Sequence, residues 1–419
     1  MVVAGLRLVN FRSCCDASVR FGPGLNVVVG DNATGKTNLL EAAWFALRGG
    51  SPRTRRDEKL ITWGERYARV ELELETTDGG MQRVEVGFAP REGKRVRWDG
   101  VEVASMEDLR SRSHVFIFVP ESLLLVKGSP ARRRAHLDAF GAALDPQYAA
   151  AVRDLQLVVR QRNAQLAAVK QGAAPGALDP WDAQFARVAT ELGRRRRDLV
   201  AALSEGFSET AAALAPAGGR YALQLVAQLD GVRYDEALLL EELRVRRPSE
   251  VRRGLSLFGP QRDDLKFLEV GPDGERAGGE TGGARRGGAT ETACGPAALP
   301  SGGRDLRLFG SQGEQRAAVL ALLLAEQRLA AARTGRQGPL FLDDVMSELD
   351  DPRRRRLVRM LATAGQAVVT TTDRHYFTEE ELTRATVVEL PLAGSLTPGE
   401  IASPADDGTS PAPPGLDAL

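Results

Sequence analysis

The stretch Gly30-Asp31-Asn32-Ala33-Thr34-Gly35-Lys36-Thr37-Asn38 decides the fold. Its spacing is G-x4-G-K-T, a glycine-rich turn whose backbone N–H groups can wrap phosphate oxygens. Before it, Leu25-Asn26-Val27-Val28-Val29 reads as a buried strand. After it, Thr37 to Leu47 reads as a helix, stopped by Gly49 and Gly50. Strand, turn and helix are the context the motif requires, and they set it apart from a chance match in a loop. The turn and the helix N-terminus are expected to cradle the α- and β-phosphates of ATP. Lys36 is expected to reach the β- and γ-phosphates, and the Thr37 hydroxyl to ligate Mg²⁺.

A second half of such a site stands far downstream. Leu340-Phe341-Leu342-Asp343-Asp344 is an apolar strand ending in two carboxylates. Asp343 is expected to complete the Mg²⁺ environment, since magnesium favours hard oxygen ligands. Asp344 is placed to orient or deprotonate the attacking water. Alone, a capped strand end explains this pattern equally well; beside the phosphate loop it gains force. Upstream lies Ser311-Gln312-Gly313-Glu314-Gln315-Arg316, followed by the apolar run Ala317 to Leu329. Serine and glycine at a helix start make an N-cap and an anion-binding end. Ser347-Glu348-Leu349-Asp350 follows the aspartate pair.

Composition narrows the class. The 419 residues are 43% hydrophobic and 27% charged, ordinary for a soluble globular protein. The three cysteines, Cys14, Cys15 and Cys294, show no metal spacing and fit a reducing cytoplasm. There is no signal-peptide core at the N-terminus and no apolar run of membrane-spanning length. With 56 basic and 56 acidic residues, net charge by itself points to no polyanionic partner. The arginines nevertheless come in blocks: Arg53 to Arg56, Arg132 to Arg134, Arg194 to Arg197, Arg244 to Arg253 and Arg353 to Arg356. Each block is explained by a solvated helix face; several on one face would make an electrostatic footprint.

Along the chain, residues 2–11 alternate as a strand. Tyr67 to Thr76, Met81 to Phe88 and Lys94 to Val103 read as an antiparallel meander, with turns at Asp78-Gly79-Gly80 and Arg91-Glu92-Gly93. His114 to Val119 is a further strand. From Ala131 to Leu214 the pattern is helical, with a break at Gly172 to Pro180, too short and too interrupted for a long coiled coil. A helix at Pro352 to Leu361 and a strand at Gln366 to Thr371 follow the aspartates. The expected fold is α/β: a P-loop ATPase head over 1–122 and 306–395, with a helical lobe inserted at 123–270. Residues 271–305 are Gly-rich and read as a flexible insertion; 396–419 read as a disordered tail.

The order of phosphate loop, Ser-Gly motif, aspartate pair and Asp350 resembles the ABC-type ATPases. Within them the chain resembles the RecF family. The stretches that carry this are Leu6 to Arg12, Lys36 to Ala42, Arg53 to Glu58, Val126 to Pro130 with Arg132 to Arg134, Gly259 to Leu265, Ser311 to Arg316, and Asp343 to Asp350. The resemblance implies that Ser311, Gln312 and Gly313 act as a signature on the γ-phosphate held by a second copy. It also places Arg12 and Asp350 at the nucleotide. It implies an ATP-dependent homodimer with slow hydrolysis that binds DNA where duplex meets single-stranded gaps. RecO and RecR would be partners, RecA loading the outcome, and the location cytoplasmic without membrane attachment. Arg55, Arg56, Arg132 and Arg133 are the candidates for DNA contact. A histidine usual after the next strand is missing; Thr371 or Thr372 stands in its place. Ala33 replaces a usual glycine, where alanine needs φ < 0, and Gln261 replaces a usual histidine. A transporter-type subunit would dock on a membrane partner, and an SMC-like clamp would need long heptads. A nuclease would need more acidic ligands than Asp263 and Asp264.

Overall fold

The computed structural model describes residues 1–215, 219–270 and 303–392. The chain divides into two compact units, one of Met1–Ser122 with the chain from Glu326, the other of Leu123–Ala325.

In the first unit, alternating strands build a six-stranded antiparallel sheet. Its order is Cys14–Arg20, Val2–Phe11, Ala68–Glu75, Met81–Ala89, Gly93–Trp98 and Val101–Glu102. The expected strand Lys94 to Val103 is broken into two because Asp99 and Gly100 both take positive φ, 51° and 78°. Two left-handed residues in succession make the tight hairpin turn whose twist matches the strands. One face of this sheet buries Leu6, Leu8, Val70, Leu72, Val84 and Val86. Against it lies the helix Lys36–Arg48, whose Phe45 ring sits 6.1 Å from Phe11 and 5.2 Å from Phe88.

The second sheet is five-stranded and parallel, in the order Thr386–Glu389, Leu25–Val29, Ala367–Thr371, Leu340–Leu342 and Phe116–Phe118. Apart from the largely uncovered edge strand Thr386–Glu389, its strands are near-continuous apolar runs, as burial on both faces requires. Because the strands run parallel, Val29, Leu342 and Thr371 end at one edge, where open α/β sheets place their ligands. The two sheets are tied by buried Gln366. It accepts from the Val3 N–H at 2.7 Å and donates to the carbonyls of Val3 (2.7 Å) and Gly22 (2.9 Å).

The second unit contains helices Pro130–Leu144, Pro146–Lys170, Asp179–Leu214 and Glu236–Arg253, with a three-stranded sheet of Arg304–Asp305, Asp264–Val270 and Arg220–Val226. The 36-residue helix Asp179–Leu214 spans about 54 Å. The break at 172–180 is the turn into it, opened by Gly172 at φ 110°. Three helices and the connection at Ser256 meet at fully buried Arg162, which donates to Asp182 (2.8 Å), Ser256 (2.7 Å) and Glu250 (2.6 Å) and lies over the Phe185 ring.

The division differs from the expected one at 306–325. These residues fall in the unit with the helical lobe. Gln315 donates to the carbonyls of Leu306 and Gly310, while Arg304 bridges Glu269 and Glu314. The Arg304 bridge fixes the start of helix Gln312–Thr334 to the small sheet of that unit. The Gly-rich insertion lies outside the described residues except for 303–305, where Arg304–Asp305 is a short strand. The tail 396–419 also lies outside them.

Candidate nucleotide site

The phosphate loop joins the end of strand Leu25–Val29 to helix Lys36–Arg48. Gly30 has no room for a side chain: a Cβ there would stand 2.7 Å from Thr34 Oγ1 and 2.8 Å from Leu390. Gly35 caps the helix at φ 99°, a conformation open to glycine. Thr34 closes the turn onto the Asp31 carbonyl through its hydroxyl, 2.8 Å. Ala33 does not hold φ < 0 as expected; its φ is 68°. The loop imposes the left-handed conformation on it, at a cost of about 1–2 kcal/mol.

Lys36 is folded back, its Nζ donating to the carbonyls of Gly30 (2.6 Å) and Asp31 (2.8 Å). Burial pushes its ammonium below the usual lysine range, against the pull of Asp344, Asp343 and Asp31. Thr37 donates to Asp343 Oδ2 at 2.8 Å. Thr370 donates to the other oxygen, Oδ1, at 2.8 Å and accepts from the Asp344 N–H at 3.0 Å. Burial raises the Asp343 carboxyl above its usual range, offset by these two hydroxyls. Asp344 itself sits at φ 45°, and its Oδ1 is buried without a hydrogen-bond partner. Buried polar atoms are rarely left so, and a strained backbone that carries one is a mark of function.

These groups fit a metal–nucleotide. A carboxylate and a hydroxyl, both hard oxygen donors, lie beside a buried cation and a helix N-terminus. The family model described as the RecF/RecN/SMC N terminal domain covers residues 2–389. The DNA replication and repair protein RecF of Heliobacterium modesticaldum is 33% identical over 404 residues, 95% of this chain and 99% of that one. The chain belongs to the RecF family. RecF of Streptomyces avermitilis is 33% identical over 381 residues, 88% of this chain and 93% of that protein. A solved structure described as the recombination mediator protein RecF-ATPrS in the RecFOR pathway superposes with a TM-score of 0.71. It is 25% identical and covers 90% of this chain and 94% of its own. An Smc head bound to a domain of ScpA shares the fold, with a TM-score of 0.53 at 17% identity. The chain is thus a DNA replication and repair ATPase of the ABC type.

The remaining candidates of the RecF-like reading fall in several places. Arg12, at φ 57°, donates through Nε and Nη2 to Glu41 at 3.0 and 2.8 Å. Arg53 joins the same carboxylate at 3.2 Å and reaches Asn38 Oδ1 at 3.4 Å. Asn38 in turn donates to Ser13, next to Arg12. Asp350 accepts from the Arg353 N–H and caps the helix Asp351–Thr363.

In the other unit, Ser311 and Glu314 form reciprocal cap bonds, N–H to Glu314 at 2.6 Å and Glu314 N–H to Ser311 Oγ at 3.3 Å. Ser311 and Gln312 are exposed. Thr371 is buried and donates to the Asp373 carbonyl, while Thr372 is half-buried.

Arg55, Arg56 and Arg132 are exposed. Arg133 is not: it is 3% exposed, paired to Asp264 at 2.7 Å, and donates to the carbonyls of Leu125, Val126 and Gly128. The DNA role expected of Arg133 gives way to a structural one. Asp264 is held by that arginine, and Asp263 by Arg196 at 3.0 Å. Among the described residues no cluster of three or more metal-ligating side chains occurs, and no helix is long and apolar enough to cross a membrane. Thr370 and Glu41 escaped the sequence reading. A threonine in a β-strand and a glutamate in a helix carry no local sign of their distant partners.

Proposed function

We propose that the chain is an ATP-dependent DNA-binding repair factor that works as a homodimer. The observation that carries this is the bond between Thr37 and Asp343 in a RecF-family chain. It joins the two halves of a nucleotide site, and Asp344 follows at once with its free, buried oxygen. Gly30 to Asn38 would hold the phosphates through backbone N–H groups. Lys36 would exchange the Gly30 and Asp31 carbonyls for phosphate oxygens. Thr37 and Asp343 would hold Mg²⁺, which supplies charge neutralisation at the phosphates when bound. Asp344 would orient water in line and take its proton. Arg12 would face the nucleotide from the Glu41 cluster, and Asp350 from the turn it caps.

Ser311, Gln312 and Gly313 open a capped helix, with Ser311 and Gln312 at the surface, which suits a site completed by a second copy. Arg55, Arg56 and Arg132 would meet DNA phosphates without reading sequence. The RecFOR pathway named for the structural relative makes RecO and RecR the expected partners, with RecA loading at gapped DNA as the outcome. The test is the solution mass by sedimentation, with ATP and Mg²⁺ against ADP and Mg²⁺. A dimer with ATP and a monomer with ADP is the expected result. A monomer in both states refutes a signature acting across copies.

A further inference from the structure

The C-terminal end of helix Glu236–Arg253 and the turn Pro260–Arg262 border a cleft of about 560 Å³. Ser249, Arg252, Arg253, Leu257 and Arg262 line it. The neighbouring arginines on the helix are neutralised: Arg246 by Glu242 at 2.5 Å, Arg247 by Asp179 and Asp182, each at 2.6 Å. Arg252 and Arg253 are exposed, and no carboxylate among the described residues pairs with either. Arg262 makes one long bond, 3.4 Å, to the Ser256 carbonyl.

Both walls are rigid. Beneath the helix end, buried Glu250 is already spent on Arg162 (2.6 Å) and on the Leu257 N–H (2.7 Å). The turn that carries Arg262 is pinned on its far side. Asp263 accepts from Arg196 and the Gln228 N–H, and Asp264 is paired with Arg133. Fixed backbone therefore carries three arginines onto one concave surface whose lining holds no carboxylate. Like charges so placed repel until an anion joins them. Guanidinium forks match phosphate oxygens two at a time. The lining contains no aromatic ring on which a base could stack, and Leu257 is its one apolar side chain. A phosphodiester therefore suits it better than a free nucleotide.

We propose that Arg252, Arg253 and Arg262 form a binding site for the nucleic-acid sugar–phosphate backbone. The proposal rests on the DNA-binding reading above and gives it a place in the Leu123–Ala325 unit. The triple variant Arg252→Gln/Arg253→Gln/Arg262→Gln and its Arg→Lys counterpart are compared with the parent for duplex DNA affinity across a salt series.

Each lost phosphate contact shallows the slope of log K against log salt by about 0.9. The Gln variant is expected to lose roughly two to three in slope and to bind at least about tenfold more weakly at low salt. The Lys variant should keep most of the slope, and ATP hydrolysis without DNA should match the parent in both. If the parent binds DNA and the Gln variant shows its affinity and slope, the cleft is no phosphate site. A parent that binds no DNA overturns the DNA-binding reading itself. Should the triple Gln variant lose its unfolding transition, the single Arg253→Gln decides: a slope reduced by about 0.9 supports the site, and an unchanged slope rejects it.

Discussion

Thr37 and Asp343 stand 306 residues apart and share a 2.8 Å hydrogen bond. Thr370 approaches the same carboxylate from the adjoining strand and also receives the Asp344 N–H. One hydroxyl thus sets the pose of both aspartates. Thr370→Val removes it at nearly constant volume and leaves a buried carboxylate oxygen and a backbone N–H unmatched. The expected loss is about 2–4 kcal/mol of stability, read by chemical denaturation. ATP turnover should fall more than in Thr372→Val.

Asp344→Asn keeps shape and loses the base. Nucleotide binding should persist while steady-state hydrolysis falls by about 10²- to 10⁴-fold. Turnover at the parent rate would remove Asp344 from the chemistry.

Arg132 and Arg133 are adjacent in sequence and opposite in fate. Arg133→Ala leaves the partly buried Asp264 carboxylate without its partner and should cost about 3–5 kcal/mol of stability. Arg132→Ala should leave unfolding within about 0.5 kcal/mol of the parent. The pair is compared by urea titration. Equal midpoints would contradict the burial assigned to Arg133.

His114 is buried, and burial, with Arg48 and Arg336 nearby, holds its imidazole below the usual 6.5. In the unfolded chain it takes up a proton near 6.5, while in the folded chain it resists. Its contribution to stability is therefore complete above pH 6.5 and shrinks as pH falls through the lowered folded value. A His114→Gln variant should show a flatter stability profile below pH 6.5 than the parent. Parallel profiles would refute the assignment.

Ala33→Gly relieves the left-handed backbone but loosens the unfolded chain. The first effect is about 1–2 kcal/mol and the second about 0.4–1 kcal/mol. The variant should be as stable as the parent or more so by up to about 1.6 kcal/mol, measured by thermal unfolding.

The legible parts of the fold were those written locally. A buried strand, a glycine turn and a helix are neighbours in sequence, so the phosphate loop announced itself, as did the apolar strand ending in Asp343 and Asp344. The hairpin at Asp99-Gly100 was hidden inside an alternating run, where a turn dipeptide competes with strand propensity. Arg133 was misread because a run of three arginines looks solvated. Only the fold brings Asp264 to it, from 131 residues away. Thr370 passed as an ordinary strand residue for the same reason. The expected domain boundary missed the signature residues because the bonds of Arg304 and Gln315 cannot be seen from periodicity.

The cluster around Glu41 has a consequence in whole charges. One carboxylate, 0% exposed, receives two guanidiniums and the Ser51 hydroxyl. The sum is a surplus of one positive charge, set in the body of the first unit beside Ser13 and Asn38 and felt at Asp343. An anion arriving at the loop meets guanidiniums already oriented by a fully buried carboxylate while still partly open to solvent. Replacing Glu41 with glutamine would not remove a contact so much as double that surplus.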